Sequence, residues 1–401
     1  MKKLPKVLLL IDTSRESGRK LLLGIAKYSR LHGPWSFNRR SVYFFEWQTE
    51  YSMSRQLEKE TLSQLRKWGA NGVIATNVNN PRQFEEILAV SVPTILLGGY
   101  TPQKNVPGWH CVRSDSHAIA KKAAEHLLDR GYRNFSYCGY YNLSWSKERG
   151  ACFEKIIAEA GYKVHCYKPQ RLRTNRLWAN EQTIIADWLT SLPRPLGLMA
   201  CNDERGHNVL EACKMAGLNV PDDVAVIGVD NDQLVCEVSE PPLSSIPLNN
   251  ERAGYDAAEL LAKLMAGKTL RHQEIIVQPT SVVSRESTDN LAIEDNDISK
   301  AIRFIREHDS ELVQVGDVVD AVPMSRRSLE RSFRKLLGRS VFEEIKRVHV
   351  NKFALMLVET NMSISQIALT LGHQSSENIT RYFQGMNGMS PTAYRKKYGI
   401  R

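Results

Sequence analysis

The sequence predicts a two-lobed α/β domain built on parallel sheets, of the periplasmic-binding-protein type, followed by a small all-α domain with two helix-turn-helix motifs. Three observations predict this division. From Pro5 to Arg285, short β-branched runs alternate with amphipathic helical stretches, the pattern of βαβ units and a parallel sheet. From Ile298 onward the pattern changes to helices joined by short turns. The charge divides at the same place: of the net +10, the last part carries 17 Lys/Arg against 10 Asp/Glu. A near-neutral large part joined to a compact basic one suggests a module for a small ligand and another for phosphates.

The 401 residues are enough for two or three domains with proper cores. A hydrophobic content of 42% with 24% charged residues excludes wholesale disorder. The first apolar run, Val7 to Ile11, stops at Asp12, too short to cross a membrane, and no signal-peptide cleavage pattern follows it. Seven scattered cysteines form no CxxC pair and no zinc-binding spacing, which points to reduced thiols in the cytoplasm and implies no metal or cofactor.

Taken in order, Lys6–Ile11, Gly72–Ala75, Thr94–Leu97, Asn134–Cys138, Leu196–Ala200 and Val224–Val229 read as buried strands. Helical spacing runs through Leu21-Leu22-Ile25-Ala26, Ile119 to Leu128, Ile156-Ile157-Ala160 and Val209-Leu210-Cys213. Gly131, Gly161 and Gly217 stand where left-handed helix caps are expected. Residues 288–297 are polar, acidic and short of helix formers, so they read as a linker between domains at 1–287 and 298–401.

Two helix-turn-helix units are expected, near 315–336 and 364–385. In the first, Val318, Val319 and Val322 face inward, Ser325 caps a second helix, and Leu329 and Phe333 form its apolar pair. In the second, Ile364, Ile367 and Ala368 precede a turn at Gly372. Ser375 or Ser376 then opens a helix that buries Ile379 and Phe383. A connecting helix, Phe342–Val358, lies between the units. Small-residue turns, a cap and an i, i+4 apolar pair suit a helix that reads the major groove.

This tail resembles the DNA-binding domain of the AraC/XylS family over roughly Ile298–Tyr398. The likeness lies in Ile367-Ala368, Leu371-Gly372-His373, Tyr382-Phe383 and the ending Gly388-Met389-Ser390-Pro391-Thr392-Ala393-Tyr394-Arg395. His373 and His349 depart from the family pattern. The resemblance implies double-stranded promoter DNA as a partner, with Arg327, Glu330, Arg331, Ser376, Glu377, Thr380 and Arg381 facing bases. Arginine suits guanine O6/N7, Glu can accept from cytosine N4, and Thr can meet a thymine methyl. Two reading helices could enter successive major grooves about 34 Å apart. Arg334, Lys335, Arg339, Lys346, Arg347, Arg395, Lys396 and Lys397 are candidates for phosphate contacts or plain solubility.

The first 285 residues resemble the ligand-binding domain of the LacI/periplasmic sugar-binding family. The motifs are Asp115 ahead of His126-Leu127-Leu128-Asp129-Arg130-Gly131, Arg149 before Phe153, Ala200-Cys201-Asn202-Asp203, Val226 to Asn231, and Leu243-Ser244-Ser245-Ile246. A sensor of this type ahead of an AraC-type tail resembles the layout of XylR-type regulators, as does Gly98-Gly99-Tyr100. The resemblance implies a sugar effector held by Arg149, Asn202 and Asp230, and by Asp12 and Ser14. Independently, Asp12, Thr76-Asn77, Asn202-Asp203 and Asp230-Asn231 follow predicted strands, where parallel sheets bind ligands. Carboxylates, amides and arginine satisfy sugar hydroxyls, and Trp35, Phe45, Trp47 or Trp145 could cover an apolar sugar face. Leu248 stands where sugar-binding relatives often place Gln, which leaves the particular sugar open. Asn202 and Asp203 could instead cap the following helix, Asp203 above all.

The reading is a sugar-responsive, sequence-specific transcriptional regulator, an activator by resemblance, acting as a homodimer and engaging RNA polymerase. The alternatives are a repressor whose first domain only dimerises and a sugar-binding protein without a regulatory role. Catalysis finds little support: GxSxG, P-loop, GxGxxG and HExxH motifs are missing, and Cys201 has no base beside it in sequence.

Overall fold

The computed structural model describes residues 4–40, 67–76, 92–98, 110–140, 143–168, 179–289 and 296–399. The chain opens with β1 (Lys6–Leu10), α1 (Glu16–His32), β2 (Ser36–Arg40), β3 (Gly72–Thr76), β4 (Thr94–Leu97) and β5 (His110–Ser114). It continues through α2 (Ser116–Leu128), β6 (Asn134–Cys138), α3 (Ser144–Glu159), β7 (Val164–Cys166), α4 (Ala179–Thr190) and β8 (Leu196–Ala200). Next come α5 (Asp203–Met215), β9 (Val224–Asp230), α6 (Gln233–Val238), β10 (Ser244–Pro247), α7 (Asn250–Met265) and β11 (Glu274–Val277). The last part holds α8 (Asn296–Glu307), α9 (Val315–Asp320), α10 (Arg326–Leu337), α11 (Val341–Glu359), α12 (Ile364–Thr370), α13 (Ser376–Asn387) and α14 (Pro391–Tyr398).

Two parallel sheets form two lobes. The first has strand order β11-β5-β4-β3-β1-β2 and the second β10-β9-β8-β6-β7. The chain passes from the first sheet to the second after β5, returns after β10, and leaves the first again after β11. The six strands expected from apolar runs are all present, with ends within one residue. Among the described residues five more strands, β2, β5, β7, β10 and β11, were not expected. Strand β2, Ser-Phe-Asn-Arg-Arg, is a polar sheet edge, and β10, Ser-Ser-Ile-Pro, is wholly buried. Burial of β10 is tolerated because its hydroxyls are bonded: Ser244 Oγ meets Thr288 Oγ1 at 2.7 Å, and Ser245 Oγ donates to Asp203 at 2.5 Å.

In the first lobe, α1 and α7 cross in close contact. A Cβ added at Gly24 would lie 1.9 Å from the Glu251 carbonyl oxygen, and one at Gly254 2.0 Å from that of Leu21. Both glycines are therefore required by backbone approach. Ser287 and Thr288 lie buried in the second lobe, so the first residue of the expected linker belongs to a packed core; positions 290–295 fall outside the described residues.

The helical part holds two small cores. Ile302, Val318, Leu329, Phe333, Val341 and Ile345 form one. Phe353, Leu357, Ile367, Ile379, Phe383 and Tyr394 form the other. The connecting helix α11 contributes to both, so a single rod joins the two helix-turn-helix units. Serine caps start its helices: Ser325 accepts from the Ser328 N–H, and Ser340 and Ser363 form reciprocal capping boxes. Ser375 precedes α13 without a side-chain cap bond.

Candidate functional site

A cavity of about 190 Å³ opens between the lobes, at the carboxyl ends of their strands. Asp12 after β1, Thr76 at the end of β3, Ser114 at the end of β5 and Asp230 at the end of β9 all line it. Ligands of parallel sheets bind at this edge. Leu97, Val112 and Leu248 give the cavity an apolar wall, and Trp145 borders it. Ion pairs bridge the lobes around it: Arg15 meets Glu204 at 2.8 Å and Arg19 meets Asp232 at 2.6 Å. The Glu16 N–H also donates to Asp232 at 2.9 Å.

Arg149 is the main polar element of this wall. It projects from α3 with 3% exposure, and its guanidinium stands 5.2 Å from the Trp145 ring centroid. Its Nη1 donates to the Cys201 carbonyl and its Nη2 to Ser114 Oγ at 3.2 Å. Its Nε is buried without a partner, as is Asn250 Nδ2, which also lines the cavity. These two buried donors come from opposite lobes, and an acceptor-bearing ligand between them would satisfy groups that are costly to leave unpaired. Asp230 supplies the opposite charge. Burial pushes its carboxyl up to about 6, against the lowering pull of Arg149 and Arg15. Its backbone is left-handed, φ 102°, and that of Asn231 follows at φ 52°. Such strain is kept where the side chain must point one way.

Of the five residues expected to hold the effector, Asp12, Arg149 and Asp230 line the cavity, whereas Ser14 and Asn202 are not among its lining residues. Ser14 instead donates to Asp12 Oδ1 through its hydroxyl at 2.6 Å and its N–H at 2.9 Å, fixing that carboxylate. Asn202 accepts from the Arg205 N–H at 3.0 Å and so caps α5. Asp203, expected as the cap, instead ties the second lobe together by accepting from the Asp232 N–H at 2.6 Å and from Ser245 Oγ. Trp35 packs with Tyr28 and Phe37 in the first lobe, and of these candidates Trp145 is, among the described residues, the ring at the cavity. Phe45, Trp47, Asn77, Gly99 and Tyr100 lie outside the described residues. Asn250 was not legible as a site residue, since nothing in Leu248-Asn249-Asn250 sets it apart from a helix start. Cys201 is fully buried and burial raises its thiol, so a thiolate nucleophile is disfavoured there.

Among the described residues, Cys111, His272 and Glu274 bring possible metal-donor atoms within 4.8 Å of one another. Glu274 is paired with Arg113 at 3.0 Å, and burial pushes the Cys111 thiol up to about 11, so the trio reads as an ion pair beside an inert thiol.

In the helical part, Arg327 and Arg331 are exposed on the face of α10 opposite Leu329 and Phe333, and Glu377 and Arg381 on the matching face of α13. Ser376 and Thr380 are half-buried beside them. Glu330 is turned elsewhere: its carboxylate accepts from the Val341 N–H at 3.4 Å, at the start of α11. Asn378, in the first turn of α13, is exposed beside Glu377, and the sequence reading did not name it. Of the candidate phosphate contacts, Arg334 and Lys335 are exposed. Arg339 and Arg347 are instead paired with carboxylates, Lys346 lies over the Phe342 and Tyr382 rings, and Arg395 donates to the Leu357 carbonyl.

Residues 124–288 match the family of periplasmic binding protein-like domains, and residues 318–397 match a helix-turn-helix domain family. The xylose operon regulatory protein of Escherichia coli strain K12 is 31% identical over 339 residues, covering 83% of this chain and 86% of the relative. The chain belongs to the xylose operon regulatory protein family. It is a sugar-responsive, DNA-binding regulator of transcription and not an enzyme. The Haemophilus influenzae xylose operon regulatory protein is 28% identical over 395 residues, 97% of this chain and 98% of the relative. The solved structure of the xylose-binding transcription activator xylR matches all of both chains at 27% identity with a TM-score of 0.60. A periplasmic binding protein/LacI transcriptional regulator from Alkaliphilus metalliredigens, complexed with D-xylulofuranose, shares the sensor fold over 71% of this chain at 18% identity and TM-score 0.54. Among the described residues no helix is long and apolar enough to cross a membrane.

Proposed function

We propose that the interlobe cavity binds a monosaccharide, a pentose such as xylose first among them, and that its occupancy controls binding of the tail to promoter DNA. The observation that carries this reading is the pair of unsatisfied donors, Arg149 Nε and Asn250 Nδ2, in a cavity that also holds Asp12 and Asp230. Adjacent hydroxyls, each donor and acceptor, match such a set. The volume lies below the about 300–1,000 Å³ usual for ligand pockets, which favours a single sugar ring over a disaccharide. Arg149, Asn250, Asp12 and Asp230 contact hydroxyls, Trp145 covers a ring edge, and Ser14 and Asn202 act indirectly, through Asp12 and the start of α5.

On DNA, Arg327, Arg331, Ser376, Glu377, Thr380 and Arg381 face bases from two helices, while Glu330 braces the first unit. The chain works in the cytoplasm as a homodimer on tandem half-sites and activates transcription through RNA polymerase, as its likeness to a transcription activator supports. Its relatives regulate the xylose operon and one solved relative is a xylose-binding activator, which makes xylose the first sugar to test. A thermal-shift panel of D-xylose, other pentoses, hexoses and deoxy sugars on the whole chain tests the sensor, because a ligand that binds only the folded state raises the melting point by mass action. A rise with one sugar ring supports the assignment, and a flat response to the whole panel overturns it.

A further inference from the structure

The two helix-turn-helix units touch different parts of the sensor. Asp129, at the end of α2 in the second lobe, pairs with Arg339 at 2.9 Å and with Arg347, both from the first unit and the start of α11. Both arginines also hold Glu344, which has 0% exposure, at 2.5 and 2.8 Å. Arg133 of the same lobe donates to the Leu336 carbonyl at the end of α10, at 3.3 Å. The terminal helix α14 rests beside the first lobe, on the segments that connect it to the second. Asn249 Nδ2, just ahead of α7, donates to the Tyr398 carbonyl at 2.7 Å, and Tyr394 bonds with Ser281, where the chain leaves β11. Beside this contact a crevice of about 350 Å³ separates Lys396 and Lys397 from Arg252 and Asp256 of α7.

The two anchors differ in strength. The first is charge-assisted: two ion pairs cross to Asp129, from arginines that the buried Glu344 holds in place through two more. The second is neutral, a pair of hydrogen bonds beside an open crevice, across which Arg252 is already paired with Asp256 at 2.8 Å. Charge-assisted, partly buried bonds are about twice as strong as neutral ones. Between the anchors α11, a continuous rod of 19 residues, packs into both cores and resists bending. When one lobe moves against the other, both anchors and the rod cannot all persist.

We infer that the first helix-turn-helix unit rides permanently on the second lobe through Asp129, and that the Asn249–Tyr398 contact is the release point through which lobe movement frees the second unit. This rests on the reading of the interlobe cavity as the effector site, and it adds where the movement is transmitted. A sugar can act this way only by binding the attached and released states differently.

The test is hydrogen–deuterium exchange on the whole chain, in the wild type and in Asn249→Ala and Asp129→Asn. Without sugar, Asn249→Ala should raise exchange at least several-fold over 391–398 and leave 326–347 as in the wild type, and Asp129→Asn should do the reverse. With D-xylose, the wild type should change over 391–398 and stay protected over 339–347. On a duplex selected by the wild-type chain, Asn249→Ala should bring the ratio of DNA affinities with and without xylose towards one, and its xylose affinity should shift to that of the released state. Loosening of both units alike, or of neither, by either variant overturns the separate anchors. A full sugar response of DNA binding in Asn249→Ala overturns the release point. If the wild type ignores xylose and every other sugar, the effector reading fails, while the sugar-free exchange patterns still decide the anchors.

Discussion

His349 of the connecting helix and His373 of the second turn meet edge to face, their ring centroids 5.7 Å apart at 89°. These are the two positions at which the tail departs from its family pattern, and they pack on each other. Burial lowers the pKa of both, so the contact is made by neutral rings.

The stability of the second helix-turn-helix unit should therefore fall as pH drops below about 6.5, the ordinary histidine value. In that range the unfolded chain takes up protons that the folded one refuses, until the depressed folded values are reached. Melting followed by exchange over 364–387 at pH 7.5 and 5.5 measures the loss. His349→Phe combined with His373→Leu should flatten the dependence over this segment. An equal pH slope in that variant would show that the pair is not responsible.

Asp230 predicts a pH dependence of a different kind. Its carboxyl titrates near 6, so sugar affinity should be highest above that value and decline below it, as the acceptor becomes protonated. Titration calorimetry with xylose from pH 8 to 5 shows this directly. Asp230→Asn should bind more weakly at pH 8 and lose the dependence.

Arg149→Ala should weaken sugar binding by roughly 10- to 150-fold, the worth of hydrogen bonds to a charged donor at about 1.5–3 kcal/mol. Binding of a selected duplex by the sugar-free protein should survive. Arg381→Ala should do the opposite. Its side chain is exposed, so the fold should hold while DNA affinity drops by about 1–3 kcal/mol, or roughly 5- to 150-fold. Fluorescence anisotropy on DNA and calorimetry on sugar separate the two outcomes. Loss of sugar binding in Arg381→Ala would contradict the division of labour.

Phe383 is fully buried between Phe353, at 5.4 Å, and Tyr394, at 5.0 Å. Phe383→Ala should cost about 3–5 kcal/mol within the second unit. Because that unit shares little core with the sensor, sugar binding should persist while DNA binding fails. Circular dichroism melts and calorimetry together check both halves of the statement.

Much of this was legible in the sequence because the decisive signals are local. Buried parallel strands such as Leu196–Ala200 are continuous apolar runs, and the helix-turn-helix units declare themselves by a cap and an i, i+4 apolar pair. Features that depend on distant residues were not legible. Strand β10 opens with two serines whose hydroxyls are satisfied by Asp203 and Thr288, far away in sequence. Asn202 caps α5 in place of Asp203, because the Asp203 carboxylate is taken by the loop after β9. Arg339 and Arg347, candidates for DNA phosphates by charge alone, are claimed by Asp129 some 210 residues earlier in the chain. Asn250 entered the site because of the cavity it faces, which no spacing reveals.

The most direct measurement is the affinity of the whole chain for a selected two-half-site duplex, read by anisotropy with and without saturating xylose at pH 8. Coupling between two sites of one protein ordinarily amounts to about 1–3 kcal/mol, so the account predicts a change of roughly 5- to 150-fold, abolished in Arg149→Ala. Equal DNA affinity in the presence and absence of a sugar that calorimetry shows to be bound would contradict it.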